Sequence, residues 1–361
     1  MRQGSDQSML TDYPLVYAPG NLVNVQVILD RGRSVATAPV LPRRMHGDGF
    51  SFGVGVISPT ATHPDHQHRG HGSACVAACV DRMAVLGVEL SVLWTQVATF
   101  PFYERNGWQA VARAGGSVRL TAEDATRFGR WSGSIARLAN VPDRLDEVAA
   151  LHQAAGSGVM RTRAEASALW CLPRMTTWLA LDGERVAAYL VDSQAINKPG
   201  LLEAAGERDA VAGLIRHVLE RLPAAASTDA HVGVAPDMLP DAIRSALPSR
   251  APTPSTGNMM VRINDPVASL HGIHSWLERH TSAARRPVSV GVVDAGVTVS
   301  FLWSASGLVL GSRRLPEHMD LTRRELASVL FGPHPERPVD RPRALDWLPA
   351  FHLPIPILDR S

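Results

Sequence analysis

Residues 53–83, GVGVISPTATHPDHQHRGHGSACVAACVDRM, constrain the fold more than any other stretch of the chain. Val54, Val56 and Ile57 form an apolar, β-branched run that predicts a strand, and the polar turn after it closes on Gln67-His68-Arg69-Gly70-His71-Gly72. Ala74, Cys75, Ala77, Ala78 and Met83 follow at once as a small-residue helix pattern. A strand, a tight loop and a helix N-terminus in this order gather consecutive backbone N–H groups at the positive end of a helix. Gly70 and Gly72 remove side chains where the backbone turns. Such a corner suits an anion, and a diphosphate is the obvious candidate.

With 361 residues the chain exceeds the ~250–300 at which one core stops growing, so two or three domains are expected. Lys+Arg 36 nearly match Asp+Glu 34 without a single large basic block, which argues against nucleic acid as a partner. No run reaches the ~18 apolar residues of a membrane helix, so no membrane partner is expected. The start, MRQGSDQSMLTDYP, has no apolar core of a signal peptide, and a cytoplasmic, reducing location follows. Cys75, Cys79 and Cys171 are odd in number and lack a paired framework, so they read as small buried thiols rather than a disulfide or metal site.

Around the opening motif, Asn24–Leu29 and Ser34–Val40 flank the charged turn Asp30-Arg31-Gly32-Arg33, which predicts a β-hairpin. Met45–Gly49 reads as a further turn, and 50–61 as a longer strand. The helix after Gly72 should run to about Leu86, where Gly87 stops it. Val88–Trp94 is then a strand parallel to the one before the helix, because a helix connects them. Pro101–Trp108 gives a short helix closed by Gly107, followed by strands at 108–114 and 117–120.

This order, with Gln67-x-x-Gly70-x-Gly72 and Phe102-Tyr103-x-x-x-Gly107-Trp108 in place, resembles the GCN5-related N-acetyltransferase (GNAT) family. The resemblance implies that acetyl-CoA is the cosubstrate and that Gln67, His68, Arg69, Gly70, His71, Gly72 and Ser73 wrap its pyrophosphate. It implies a splayed strand whose backbone at Ala61, Thr62 and His63 contacts the pantetheine arm, and Tyr103 as the acid that protonates the departing thiolate. Tyr103 also reads as a core aromatic beside Phe100 and Phe102. His63, His66, His68 and His71 have spacings that can suit metal ligation, but a phosphate-wrapping loop explains them better and no metal is expected. The family places Arg where this chain has His66 and His68, which points to weaker or pH-sensitive phosphate binding. Only about twenty residues precede the hairpin, where the family has a strand and helices walling the acceptor site. Either that site is open or another segment or subunit completes it.

Residues 134–254 read as a second such domain without a cofactor loop: helices at 138–154 and 163–172, a hairpin about Asp182-Gly183, a helix at 210–222 and a strand at 230–234. Glu203, Glu207 and Asp209 could draw a cationic amine or form a solvated charge cluster. Residues 255–361 resemble a sterol-carrier-like domain: a strand at 258–264, a helix at 267–279, a hairpin at 288–303, a third strand at 307–311 and a helix ending at Gly332. The tail from Trp347 to Ser361 is unusually apolar and should be docked. The expected fold class is α/β with mixed, α+β sheets, in tandem acyl-CoA N-acyltransferase-like domains (1–133, shortened at its start, and 134–254) followed by a sterol-carrier-like α+β domain (255–361). This plan resembles the enhanced-intracellular-survival acetyltransferases, which implies an amine-bearing small molecule such as an aminoglycoside as acceptor and a homo-oligomer. It also implies a catalytic role for the C-terminal carboxylate at Ser361, with Asp359 or plain packing as alternatives. A protein or peptide acetyltransferase and a non-catalytic acyl-CoA-binding scaffold are the competing readings.

Overall fold

The computed structural model describes residues 8–111, 118–156, 158–172, 174–195, 198–222, 232–234, 239, 241–249, 258–281, 287–353, 355 and 359. The chain opens with α1 (Met9–Asp12), β1 (Val25–Asp30), β2 (Arg33–Gly47), β3 (Phe50–Ile57) and β4 (Ala61–Thr62). It continues through α2 (His71–Val85), β5 (Leu90–Thr95), α3 (Phe100–Glu104) and β6 (Gln109–Ala110). Next come β7 (Val118–Leu120), β8 (Ser134–Arg137), α4 (Leu145–Ala154), β9 (Gly158–Val159) and α5 (Arg163–Trp170). β10 (Met175–Asp182), β11 (Arg185–Ala195), β12 (Lys198–Gly206), α6 (Arg208–Leu219), β13 (Val232–Val234) and α7 (Asp241–Arg244) follow. The last part holds β14 (Asn258–Ile263), α8 (Pro266–Gly272), α9 (His274–His280), β15 (Val288–Val292), β16 (Val297–Ser304), β17 (Gly307–Gly311), β18 (His318–Leu321) and α10 (Arg323–Phe331).

These elements build three mixed sheets, as an α/β chain with both hairpins and helical crossovers must. The hairpin β1–β2 forms as its charged turn predicts, antiparallel from Val25↔Pro39 to Asp30↔Arg33. β3 and β5 lie parallel across the α2 crossover, as expected, with Val54↔Leu90 through Val56↔Val92 in register. Three of the expected elements differ in extent. The region 138–144 forms short 3-10 turns before α4, because Pro142 has no N–H to give a helix interior. The helix expected at 267–279 is two helices that meet at Ile273. The turn expected at Met45–Gly49 is tighter, and β2 runs through Met45 and His46, both paired with β3.

Sheet membership does not follow the boundaries drawn from the sequence. The first sheet runs β1-β2-β3-β5-β14-β6, so the strand that was to open the third domain sits between two strands of the first. β14 pairs antiparallel with β5 from Asn258↔Thr95 to Ile263↔Leu90, and its other edge takes β6 at Met260↔Ala110. In exchange β7, expected to end the first domain, pairs with β13 in the second sheet, β7-β13-β12-β11-β10-β8. An apolar run identifies a buried strand but carries no information about its partner. The third sheet, β17-β16-β15-β18, keeps to its own stretch of chain.

The two faces of the first sheet are covered differently. Ala36, Ala38, Val40 and Ile57 pack on α2 through Cys75, Val76, Cys79 and Met83. Leu41, Met45, Phe52, Val54 and Val56 point the other way, into a core shared with the second and third sheets and the tail. The tail is docked there: Phe351 lies 5.1 Å from Phe50, 5.9 Å from Phe52 and 4.9 Å from Trp276, ring centre to ring centre. Its N–H donates to the Leu330 carbonyl at 2.7 Å, and Leu353 and Ile355 are buried beside it. Tyr13, Leu15 and Val16 from the start of the chain join the same core, so the tail shares this face with them.

Candidate active site

The site begins where β3 breaks. Across β2, Val40 faces Ile57 and Thr37 faces Ala61, three steps along one strand against four along the other. The extra residue lies within Ser58–Thr60 and makes a β-bulge, which bends the strand and re-aims its side chains. Parallel pairing with β5 stops at Val56↔Val92, whereas β5 stays with β14 as far as Thr95. The two parallel strands consequently part, leaving a gap walled by β4 on one side and the end of β5 on the other.

Backbone bonding decides which amides can face that gap. The His63 N–H donates to the Val35 carbonyl at 2.8 Å, so this amide is already used. Antiparallel alternation turns the amide and carbonyl of the intervening residue, Thr62, away from β2. The Gln67 side-chain amide donates to that Thr62 carbonyl at 3.3 Å. Of Ala61, Thr62 and His63, then, Thr62 offers its N–H to a guest, and the sequence expectation for His63 as a backbone donor is corrected.

The loop delivers the chain to α2 through two left-handed residues, His68 at φ 60° and Gly70 at φ 83°. Gly70 is the N-cap and brings no side chain, so no cap bond forms, and the N–H groups of His71, Gly72 and Ser73 have no acceptor within the helix. A β-carbon on Gly72 would lie 3.1 Å from the Thr62 hydroxyl oxygen, so glycine is what lets the helix start approach β4. His68 and Arg69 are exposed beside this opening. The rings of His63 and His66 are 5.7 Å apart and those of His66 and His71 6.2 Å, with Asp30 3.8 Å from His66 and Asp65 3.8 Å from His63. Among the described residues no group of three or more His, Cys, Asp or Glu is placed to hold a metal ion. Free N–H groups, a positive helix end and the flanking Arg69 guanidinium fit a diphosphate.

Tyr103 sits on α3, edge-on to Phe102 at 4.8 Å and to Trp108 at 6.4 Å. Both sequence readings meet here, since the ring packs with core aromatics while its hydroxyl lies near Thr60 at the bulge, whose own hydroxyl is buried without a well-formed hydrogen bond. Burial raises the Tyr103 hydroxyl above its ordinary value, and the contact with Thr60 works the other way. It therefore stays protonated at neutral pH, as a proton donor must. Thr60 escaped the sequence reading because a bulge position has no periodic signature. Cys79 lies beneath, its thiol donating to the Ala38 carbonyl at 3.1 Å, and burial pushes it up to about 12. Burial also raises Cys75, so neither thiol is a nucleophile.

A second polar cluster lies on the opposite face of the sheet. Arg43 of β2 bonds Glu165, the Met160 carbonyl at 3.2 Å and Asp359 of the tail at 3.1 Å. Arg161 grips Glu203 at 2.9 and 2.5 Å and Asp359 at 3.1 and 2.5 Å. Glu203 also accepts from Tyr189 at 2.7 Å and Trp170 at 3.1 Å. Burial opposes its charge, but the Arg161 guanidinium and bonds from His152 and Arg161 outweigh burial and hold the carboxyl well below the usual range. The acidic group expected at 203–209 is accordingly split: Glu203 is buried in this cluster, whereas Glu207 pairs with Arg185 at 2.6 Å on the surface. Ser361 lies outside the described residues. The sequence held one hint of this cluster, an arginine at 43 on the apolar face between Leu41 and Met45.

A bulged strand parting from its parallel neighbour, an open helix start and a tyrosine thus meet at one gap. Residues 7–111 match the family model described as an acetyltransferase (GNAT) domain. Solved structures of similar fold include GCN5-related N-acetyltransferases from Anabaena variabilis (TM-score 0.63, 15% identity, 92% of this chain and 88% of that one) and Kribbella flavida (0.60, 17%, 91% and 86%). Eis1 from Mycobacterium abscessus is similar too, with TM-score 0.57 and 16% identity over 91% of this chain and 88% of that one. No curated protein matches the sequence. Among the described residues no helix is long and apolar enough to cross a membrane.

Proposed function

We propose that this protein is an acetyl-CoA-dependent N-acetyltransferase whose acceptor is the amine of a small molecule such as an aminoglycoside. The observation that carries the reading is the convergence of the Ser58–Thr60 bulge, the uncapped start of α2 and the Tyr103 hydroxyl on one gap. The N–H groups of His71, Gly72 and Ser73, with Gln67, His68 and Arg69, would hold the diphosphate, and the Thr62 amide would bond the pantetheine arm. Acetyl-CoA, when bound, supplies a thioester. A neutral amine attacks its carbonyl carbon and the carbon–sulfur bond breaks. Tyr103 gives its proton to the leaving sulfur, while the amine releases one to solvent. The inert Cys75 and Cys79 support direct transfer to the amine rather than an acyl-enzyme.

The acceptor class rests on the tandem plan. The second sheet repeats the order of antiparallel strands, helix and parallel strand through β10, β11, β12, α6 and β13, and α6 follows β12 with only Glu207 between them, leaving no room for a phosphate loop. The third sheet with α10 supports the sterol-carrier-like reading. Apolar Val27 and Leu29 exposed on the edge strand β1 support association of copies. The test is thiol release from acetyl-CoA with a panel of aminoglycosides, polyamines and peptides. Turnover with aminoglycosides is expected, and Tyr103→Phe should lower kcat about 100-fold while leaving acetyl-CoA affinity intact. Turnover with peptides alone moves the acceptor to proteins. Binding of acetyl-CoA without turnover on any amine refutes the enzyme reading.

A further inference from the structure

Tyr103 stands on α3, a helix of five residues that is too short to hold itself, so whatever packs against it decides where the hydroxyl lies. The neighbouring chain secures its end: the Trp108 N–H donates to the Tyr103 carbonyl at 3.1 Å, and the Asn106 side-chain amide donates to the Phe102 carbonyl at 2.8 Å. Phe100 and Glu104, four apart, share one face of α3, and Tyr103 lies on the face beside it. That shared face is held from far along the chain. After α10, Pro333 bridges to Val111 next to β6, and the chain turns between His334 and Arg337, the Arg337 N–H donating to the His334 carbonyl at 2.9 Å. His334 is buried and meets the Phe100 ring edge-on at 5.3 Å. Its Nδ1 accepts the Glu336 N–H at 3.1 Å, which leaves Nε2 to donate to the Asn258 side-chain oxygen at 3.2 Å and fixes the ring in one orientation. Arg337 sets its guanidinium 6.0 Å from the centre of the same Phe100 ring and its Nε 3.2 Å from the Glu104 carboxylate. Arg324 of α10 approaches that carboxylate oxygen at 3.6 Å and donates to the Gln109 side chain of β6 at 3.1 Å.

We propose that Arg337 is a positioning residue for Tyr103: through Glu104 and Phe100 it fixes the rotation of α3, so that a turn late in the chain aims the proton donor of the gap. The inference rests on the acetyltransferase reading. Ion pairs between partly exposed side chains add little to stability, and those of Arg337 and Glu104 are 40% and 15% exposed. What a planar guanidinium adds is direction, since it lies over a ring and meets a carboxylate at the same time. Two holds on one face of a short helix oppose its rolling about its own axis. Phe102 rides on the same helix and cannot oppose that roll. With the tyrosine hydroxyl about 9 Å from the axis, a roll of about 10° moves it about 1.5 Å. A misplacement of about 1 Å can cost about 100-fold in rate.

The experiment measures kcat, and acetyl-CoA affinity by calorimetry, for the full chain carrying Arg337→Gln, Arg337→Lys, Tyr103→Phe, or Arg337→Gln together with Tyr103→Phe. Kanamycin, spermidine and a peptide with a free amine serve as acceptors. Arg337→Gln should lower kcat about tenfold with acetyl-CoA affinity within about twofold of wild type, and Arg337→Lys should recover part of the loss. In the Tyr103→Phe background Arg337→Gln should change kcat by less than about twofold, because a residue that acts through a hydroxyl does nothing once the hydroxyl is gone. Equal losses in the two backgrounds belong to a structural role and overturn the inference, as does a fall in acetyl-CoA affinity that matches the fall in kcat. Should Arg337→Gln fail to fold, Arg337→Lys carries the same comparison with and without the Tyr103 hydroxyl. Wild-type protein that binds acetyl-CoA but acetylates none of the three acceptors overturns the acetyltransferase reading and this inference with it. Wild-type turnover that Arg337→Gln leaves intact overturns the inference only, and full kcat in Tyr103→Phe removes the acid and the inference while the acetyltransferase reading stands.

Discussion

Replacing Arg161 by methionine removes the cation shared by two buried carboxylates and keeps most of the side-chain volume. Asp359 retains Arg43 at 3.1 Å, so the burden falls on Glu203, left with neutral donors from Tyr189 and Trp170 and with His152 at 3.5 Å. A carboxylate stripped of its cation in this setting takes up a proton. Holding it protonated at pH 7 against an ordinary value near 4.3 costs about 3.5 kcal/mol at 1.36 kcal/mol per unit. Breaking a buried ion pair costs about 3–5 kcal/mol by experience elsewhere, which agrees. The sign of the pH dependence follows. In wild type the Glu203 carboxyl is depressed, so its contribution is complete above the unfolded value and lost as pH falls through the lower folded one. In the variant the folded value is raised, so stability falls as pH rises above about 4.3. The difference between the two proteins should shrink by about 2.7 kcal/mol from pH 7 to pH 5, at about 1.36 kcal/mol per unit. Urea unfolding followed by circular dichroism at both pH values measures it. A difference below about 1 kcal/mol at pH 7, or one that does not change with pH, refutes the reasoning.

Gly72→Ala places a methyl 3.1 Å from the Thr62 hydroxyl, in the notch where the helix start approaches β4, and should weaken acetyl-CoA binding about tenfold in calorimetry with little change in melting temperature. Only Cys171 of the three thiols is exposed, so an aromatic disulfide reagent should modify one thiol per folded chain quickly and the other two only on unfolding. The double variant Cys75→Ala, Cys79→Ser should keep its kcat, since a thiol pushed up to about 12 carries no thiolate at working pH, and a large loss would revive a covalent acyl-enzyme.

The sequence by itself determined what short-range physics controls. The hairpin at Asp30–Arg33, the run from β3 through the loop into α2, and the glycines at 70 and 72 were all legible, because turn chemistry, helix starts and alternation are local. The docked tail was legible too, from apolar residues that a solvated terminus would not carry. Tertiary structure alone decided which strands share a sheet. β14 crosses back from residue 258 to lie between β5 and β6, and β7 is given to the second sheet, because hydrogen bonds along a strand edge accept any partner of matching register. It alone decided that Thr62, rather than His63, turns its amide outward, since one ladder bond to Val35 settles the alternation. It also made a site of Arg43, Arg161, Glu203 and Asp359. In the sequence these are scattered charges of an almost neutral chain. Charges have no periodicity to reveal a partner hundreds of residues away, and only burial in one place makes each of them depend on the others.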